Sequence, residues 1–172
     1  MSVSPIFANG AITAAYANLY NAQQGAQKGH KLHLIASKNA PVGHVAIAGE
    51  APDGTVVARG FYPKDKSVDI ALGSVPGVVK DDIRLFRDAQ AGEDGVLMQT
   101  LSVTQTEHDA ALRFMNGFAK SNQYNLYKCS CVTAALESLN AAGVAGFNSN
   151  VTGALPHSIY KAIDLGLEIP AP

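Results

Sequence analysis

Residues 42–62 read VGHVAIAGEAPDGTVVARGFY, and this stretch decides the fold class. Two runs rich in valine, alanine, isoleucine and aromatic residues flank Ala51-Pro52-Asp53-Gly54. Proline presets φ early in a turn and glycine supplies a positive φ at its end, so the spacing predicts an antiparallel hairpin with strands near 43–48 and 55–62. Upstream, residues 31–37 (KLHLIAS) alternate Leu32, Leu34 and Ala36 with Lys31, His33 and Ile35, which predicts a further strand. Before that, Ile12, Tyr16, Leu19 and Tyr20 fall on one helical stripe and predict an amphipathic helix over 11–22.

Downstream of the hairpin, residues 63–100 carry Pro63, Gly73, Pro76, Gly77, Gly92 and Gly95 and read as an irregular stretch, with short strands near 68–72 and 96–103. The final third is helical. Ala111, Leu112, Met115 and Phe118 repeat at helical spacing within 107–120. Val132, Ala135, Leu136 and Leu139 do so within 130–142, with Gly143 placed to cap the end. A third helix begins at Pro156, a favoured first-turn residue, and ends before Gly166. The order helix, strands, helices predicts an α+β architecture, an antiparallel sheet packed against helices.

The 172 residues suffice for a single domain, 1–172, with a sizeable core. Only 16% are charged and 47% are hydrophobic, which excludes a disordered, solvating chain. Thirteen basic residues against fourteen acidic ones exclude nucleic-acid binding driven by bulk basicity. No apolar run approaches transmembrane length, and the first ten residues lack the basic and apolar regions of a classical signal peptide. The two cysteines, Cys129 and Cys131, are separated by a single residue. That spacing disfavours a disulfide, and no histidine lies close enough in sequence to complete a zinc module, so no metal or cofactor is expected. Two free thiols in a reducing compartment leave room for a nucleophile.

Cys131 falls in the first turn of the helix over 130–142. Unpaired N–H groups and the helix dipole stabilise a thiolate at such a position, which makes it a place for a catalytic cysteine. A cysteine on an apolar helix face is also an ordinary small core residue, and a histidine in a strand an ordinary satisfied one. His44 opens the first hairpin strand and needs only to meet the thiol in space. Cys129 falls in the preceding loop. His30, His33, His108 and His157 read as surface, cap or core residues, and His108, between Glu107 and Asp109, as a solvated one.

Taken together, GHVAIAGEAPDGTVVARGFYP (43–63) and YNLYKCSCVTAALESLNAAGV (124–144) resemble the circularly permuted branch of the NlpC-like, papain-like cysteine hydrolases. In that branch a glycine-histidine strand precedes a helix opened by the cysteine. The DG…GFYP piece of the first block (53–63) also resembles domains found among bacterial antagonistic effectors, including type VI secretion amidases. The resemblance implies a papain-like fold, Cys131 as nucleophile and His44 as its base or imidazolium partner. Many members carry asparagine directly before the cysteine, where this chain has Ser130. The third, orienting residue is left open. A tight turn at Pro52–Gly54 would put His44 roughly opposite Phe61, with Thr55 and Arg59 nearby and Asp69 on the next expected strand as the candidate. The Cys131 N–H is the natural first oxyanion donor, with Asn125 or Tyr124 as a second.

The implied activity is hydrolysis of an amide in bacterial peptidoglycan peptides. The implied partners are a peptide or peptidoglycan substrate, a cognate immunity protein or a component of the secretion apparatus. The chain would be made in the cytoplasm and exported by a dedicated system to a target-cell periplasm. Two other readings stand beside it: a lipid esterase or acyltransferase on the same fold, and a catalytically silent binding domain. The mixed charges of 63–100 suit a peptide better than a lipid surface.

Overall fold

A computed structural model of the chain describes residues 29–39, 42–65, 73–144 and 154–166. The elements, in chain order, are β1 (His30–Ser37), β2 (His44–Glu50), β3 (Val56–Pro63), β4 (Val75–Asp81), α1 (Ile83–Ala91), β5 (Val96–Val103), α2 (Gln105–Gly117), a 3-10 turn (Phe118–Lys120), β6 (Gln123–Tyr124), α3 (Cys131–Ala141) and α4 (Pro156–Asp164). The architecture is mixed α+β. Six strands in the order β5-β1-β2-β3-β4-β6 pair antiparallel throughout, and the described residues form four α-helices. The helix expected over 11–22 and the strand expected near 68–72 lie outside the described residues.

The hairpin forms as β2 and β3, with Ala46 paired to Gly60 and Glu50 to Val56. Gly54 closes its turn at φ 84°, and its N–H donates to the Ala51 carbonyl at 2.9 Å. Continuing the register from Ala46–Gly60 sets His44 across from Tyr62, not Phe61. A one-residue slip matters because successive side chains point to opposite faces of a sheet.

Helices cover both faces. On one face Leu32, Leu34, Val45, Ile47 and Phe61 pack with Leu112 and Met115 of α2, Val132, Leu136 and Leu139 of α3, and Ile159 of α4. On the other, Ile35, Ala48 and Ala58 pack with Phe86 of α1 and with Val96. β2 is therefore buried on both sides, which explains why VAIA is a run of apolar residues without polar alternation. Leu136 and Leu139 are 1% and 0% exposed, and each contributes about 1.5–3 kcal/mol through burial.

Residues 63–100 are more regular than expected, since they hold β4, α1 and the start of β5. Helix α1 opens after Asp82 and closes at Gly92, which adopts φ 71° and donates its N–H to the Ala89 carbonyl. Its apolar face, Ile83, Phe86 and Ala89, was hidden by the glycines and charges around it. α2 begins two residues before the expected 107. Its N-cap is Thr104, whose hydroxyl accepts from the Glu107 N–H while the Glu107 carboxylate accepts from the Thr104 N–H.

Candidate active site

His44 is the first residue of β2, delivered by Gly43 at φ 71°. A Cβ at residue 43 would press on the Ser37 carbonyl and on Pro156, so a glycine is needed both for the conformation and for the close approach. The His44 ring stacks on Tyr62, its centroid 4.3 Å from that ring and the two planes inclined by 22°. Its Nε2 lies 2.9 Å from Asp82 Oδ2. The other carboxylate oxygen, Oδ1, accepts the Tyr62 hydroxyl at 2.5 Å. Beneath this group is Gly60, where a Cβ would overlap both Asp82 Oδ2 and His44 Nε2.

Asp82 occupies the N-cap of α1 yet makes no side-chain cap hydrogen bond. Aspartate at that position ordinarily accepts from the next turn's N–H groups. Here the neighbouring Asp81 takes over, its Oδ1 accepting the Ile83 N–H at 3.0 Å. Asp82 is thereby left to His44 and Tyr62, buried at 8% exposure.

Cys131 is the first residue of α3, buried at 1% exposure. Ser130 caps that helix, its hydroxyl accepting from the Val132 N–H at 3.2 Å, and Thr133 Oγ1 accepts the Ser130 N–H at 3.2 Å. Ser130 and Thr133 thus form a reciprocal cap for the helix. The thiol faces His44. Burial works against a charged His44, but hydrogen bonds to Asp82 and to Cys131, with the attraction of both negative charges, outweigh it and raise its pKa to about 9. Since Nε2 is held by Asp82, Nδ1 is the ring nitrogen left for the sulfur.

Tyr124, on β6, also lies against Cys131. Burial first, then the charge of and hydrogen bond to the Cys131 sulfur, hold its phenol well above the ordinary range, while the Cys131 backbone N–H acts in the opposite sense. The hydroxyl therefore sits beside the same N–H that a developing oxyanion would use. Burial and the bond to Asp82 likewise push the Tyr62 phenol upward.

The other sequence candidates fall elsewhere. Asn125 is occupied by its own turn, where Oδ1 accepts the Tyr127 and Lys128 N–H groups at 3.1 and 3.0 Å. Its Nδ2 donates to the Gly73 carbonyl at 3.0 Å, which ties the amide to its own loop. Asp69 lies outside the described residues, and the position beside the imidazole is filled by Asp82. Arg59 turns to Asp81 at 2.7 Å and to Asn116, and Thr55 N–H donates to Asp53. Cys129 is half-buried in the Asn125–Cys129 bridge, its thiol pushed up by burial. His108, expected to be solvated, is buried, with Nδ1 2.8 Å from Asp109. His33 bridges Thr100 and Glu50, and burial lowers its pKa.

Asp82 and Tyr62 were not anticipated. Asp81-Asp82 ahead of Ile83 and Phe86, with Gly92 nine residues beyond the helix start, carries a helix signature that would have located the carboxylate. Among the described residues no group of three or more histidine, cysteine or acidic side chains is placed to hold a metal ion, and no helix is long and apolar enough to cross a membrane. Compared with known proteins, the chain matches no family model, no curated protein and no solved structure.

Proposed function

We propose that the chain is a thiol hydrolase with a papain-like, permuted NlpC-like fold, in which Cys131 is the nucleophile, His44 its proton partner and Asp82 the orienting carboxylate. One observation carries the reading: an imidazole held between a buried carboxylate and a thiol that opens a helix. Asp82 on Nε2 fixes the ring and favours the imidazolium.

The Cys131 thiolate attacks the amide carbonyl carbon. The oxyanion that forms is met by the Cys131 N–H and the Tyr124 hydroxyl. His44 gives its proton to the leaving amine as the C–N bond breaks, leaving a thioester. Neutral His44 then takes a proton from water as the water attacks that thioester, and the carboxylic acid leaves as the Cys131 thiolate is expelled and the thiolate–imidazolium pair is restored.

The substrate we favour is a bacterial peptidoglycan peptide. The large exposed apolar side chains among the described residues, Val42, Phe114, Tyr127 and Leu165, are few and sit on separate segments of the chain. An antibacterial effector with a cognate immunity protein fits this activity. The test is digestion of purified sacculi, with released peptides read by mass spectrometry. The wild type should release muropeptides and Cys131→Ala should release none. Fatty-acid release from phospholipid vesicles with intact sacculi would replace the amide reading with the lipid-ester one.

A further inference from the structure

The site carries a cation that the hydrolytic mechanism does not use. Lys80 is the cross-strand partner of Gly60. Directly paired residues project to the same face of a sheet, and the face of Gly60 is the one on which His44 Nε2 meets Asp82 Oδ2. Residue 60 has no side chain, so on that face the neighbour of β3 that the lysine meets is Tyr62. The Lys80 ammonium lies 5.5 Å from the centre of the Tyr62 ring, the same ring that stacks on His44 at 4.3 Å. Contact with an aromatic face steadies an otherwise flexible side chain.

Among the described residues its charge is also uncompensated. Lys31 pairs with Glu50 at 2.7 Å, Lys38 with Asp94 at 3.6 Å and Arg59 with Asp81 at 2.7 Å. Among the described residues no carboxylate lies within ion-pair distance of Lys80. Of the two acids that follow it, Asp81 is held by Arg59 and Ile83, and Asp82 by His44 and Tyr62. An exposed ammonium, held over a ring of the site and without a counter-ion among the described residues, is suited to bind an anion of the substrate.

We propose that Lys80 is the specificity residue of this site and that its substrates carry a carboxylate close to the bond attacked by Cys131. The proposal rests on the hydrolase reading for its substrate class, but the anion site itself can be tested without hydrolysis.

The experiment compares alkylation of Cys131 by iodoacetate, which is anionic, with alkylation by neutral iodoacetamide, in a Cys129→Ser background at pH 7 and low salt. Each reagent forms an S–CH2 bond and releases iodide, so the ratio of the two rates reports on charge near the sulfur. Lys80→Gln should lower the iodoacetate-to-iodoacetamide ratio about three- to tenfold, Lys80→Arg should retain it, and added salt should narrow the difference. An unchanged ratio in Lys80→Gln, or failure of both reagents to modify Cys131, overturns the proposal. With peptide substrates, Lys80→Gln should raise KM about tenfold for a free carboxylate, leave kcat nearly unchanged, and have little effect on the amidated analogue. If the alkylation ratio falls but no peptide is cleaved, the anion site stands and the hydrolase reading fails.

Discussion

Asp82 caps its helix in position but not in bonding: its Oδ2 lies 2.9 Å from His44 Nε2, and the capping is left to Asp81. The relationship links a helix start on one face of the sheet to the first residue of a central strand. It also separates two adjacent carboxylates by role. Asp81→Asn should leave activity within about twofold, because asparagine also accepts the Ile83 N–H. Asp82→Asn should lower kcat/KM about 10- to 100-fold on the proposed substrate, the scale of a misoriented acid-base group. Equal effects of the two substitutions would contradict this division.

The same pair sets a pH dependence. The folded His44 pKa, about 9, is raised above the ordinary 6.5. Its stabilisation is therefore fully present below about pH 6.5 and is lost as pH rises through about 9. Asp82→Asn should destabilise the fold by about 2–3 kcal/mol at pH 6, less so above pH 9, as measured by denaturant unfolding. In activity, the alkaline limb should lie near pH 9 for the wild type and move toward neutrality in the variant. A limb that stays in place would show that Asp82 does not govern His44.

Gly60→Ala tests the packing beneath the site. The added methyl would occupy the space of the His44–Asp82 hydrogen bond, so one of the two side chains must move. Activity should fall about 100-fold, the usual consequence of displacing a reacting group by about 1 Å. The NMR titration of His44 should shift toward the ordinary histidine value. An unaltered titration would place the imidazole elsewhere.

The two thiols should behave differently despite being two positions apart. Iodoacetamide at pH 6 should modify Cys131 first, because burial raises the Cys129 thiol whereas His44 faces Cys131. Cys129→Ser should keep most activity, whereas Cys131→Ser should lose at least about 10³-fold. Comparable losses would mean that both sulfurs take part.

The hairpin register can be tested through neighbouring aromatics. Tyr62→Phe removes the hydroxyl from Asp82 but keeps the ring on His44, and should reduce activity about three- to tenfold with little loss of stability. Phe61 points the other way, with its ring centroid 5.0 Å from that of Phe118. Phe61→Ala should cost about 3–5 kcal/mol of stability, read by denaturant unfolding. The opposite pattern would restore the register that pairs His44 with Phe61.

Much of the sheet and the C-terminal helices was legible because apolar period and turn chemistry agree there, as in Pro52–Gly54 and in the stripe Val132, Leu136, Leu139. His44 and Cys131 could be singled out because each sits at an element start, where local sequence speaks. Asp82 could not be placed in the same way. Its role depends on β4 running back beside β3, a pairing set by side chains far apart in sequence, and its own neighbourhood was read as a charged loop. The exchange of Phe61 for Tyr62 came from counting across the turn, where an error of one residue reverses the face.

The residues around the thiol come from positions 44, 62, 82, 124 and 131, carried by β2, β3, the start of α1, β6 and the start of α3. Before these elements dock, Cys131 is a thiol without a proton partner. A nascent chain emerging from the ribosome would have its carboxylate, imidazole and sulfur on separate, unassembled segments. On the proposed hydrolase reading, chemical competence would be a property of the finished tertiary structure, and completing the fold would serve as the activation step. A cell making a hydrolase of the proposed kind would be exposed to its chemistry only after synthesis had passed the last of these positions.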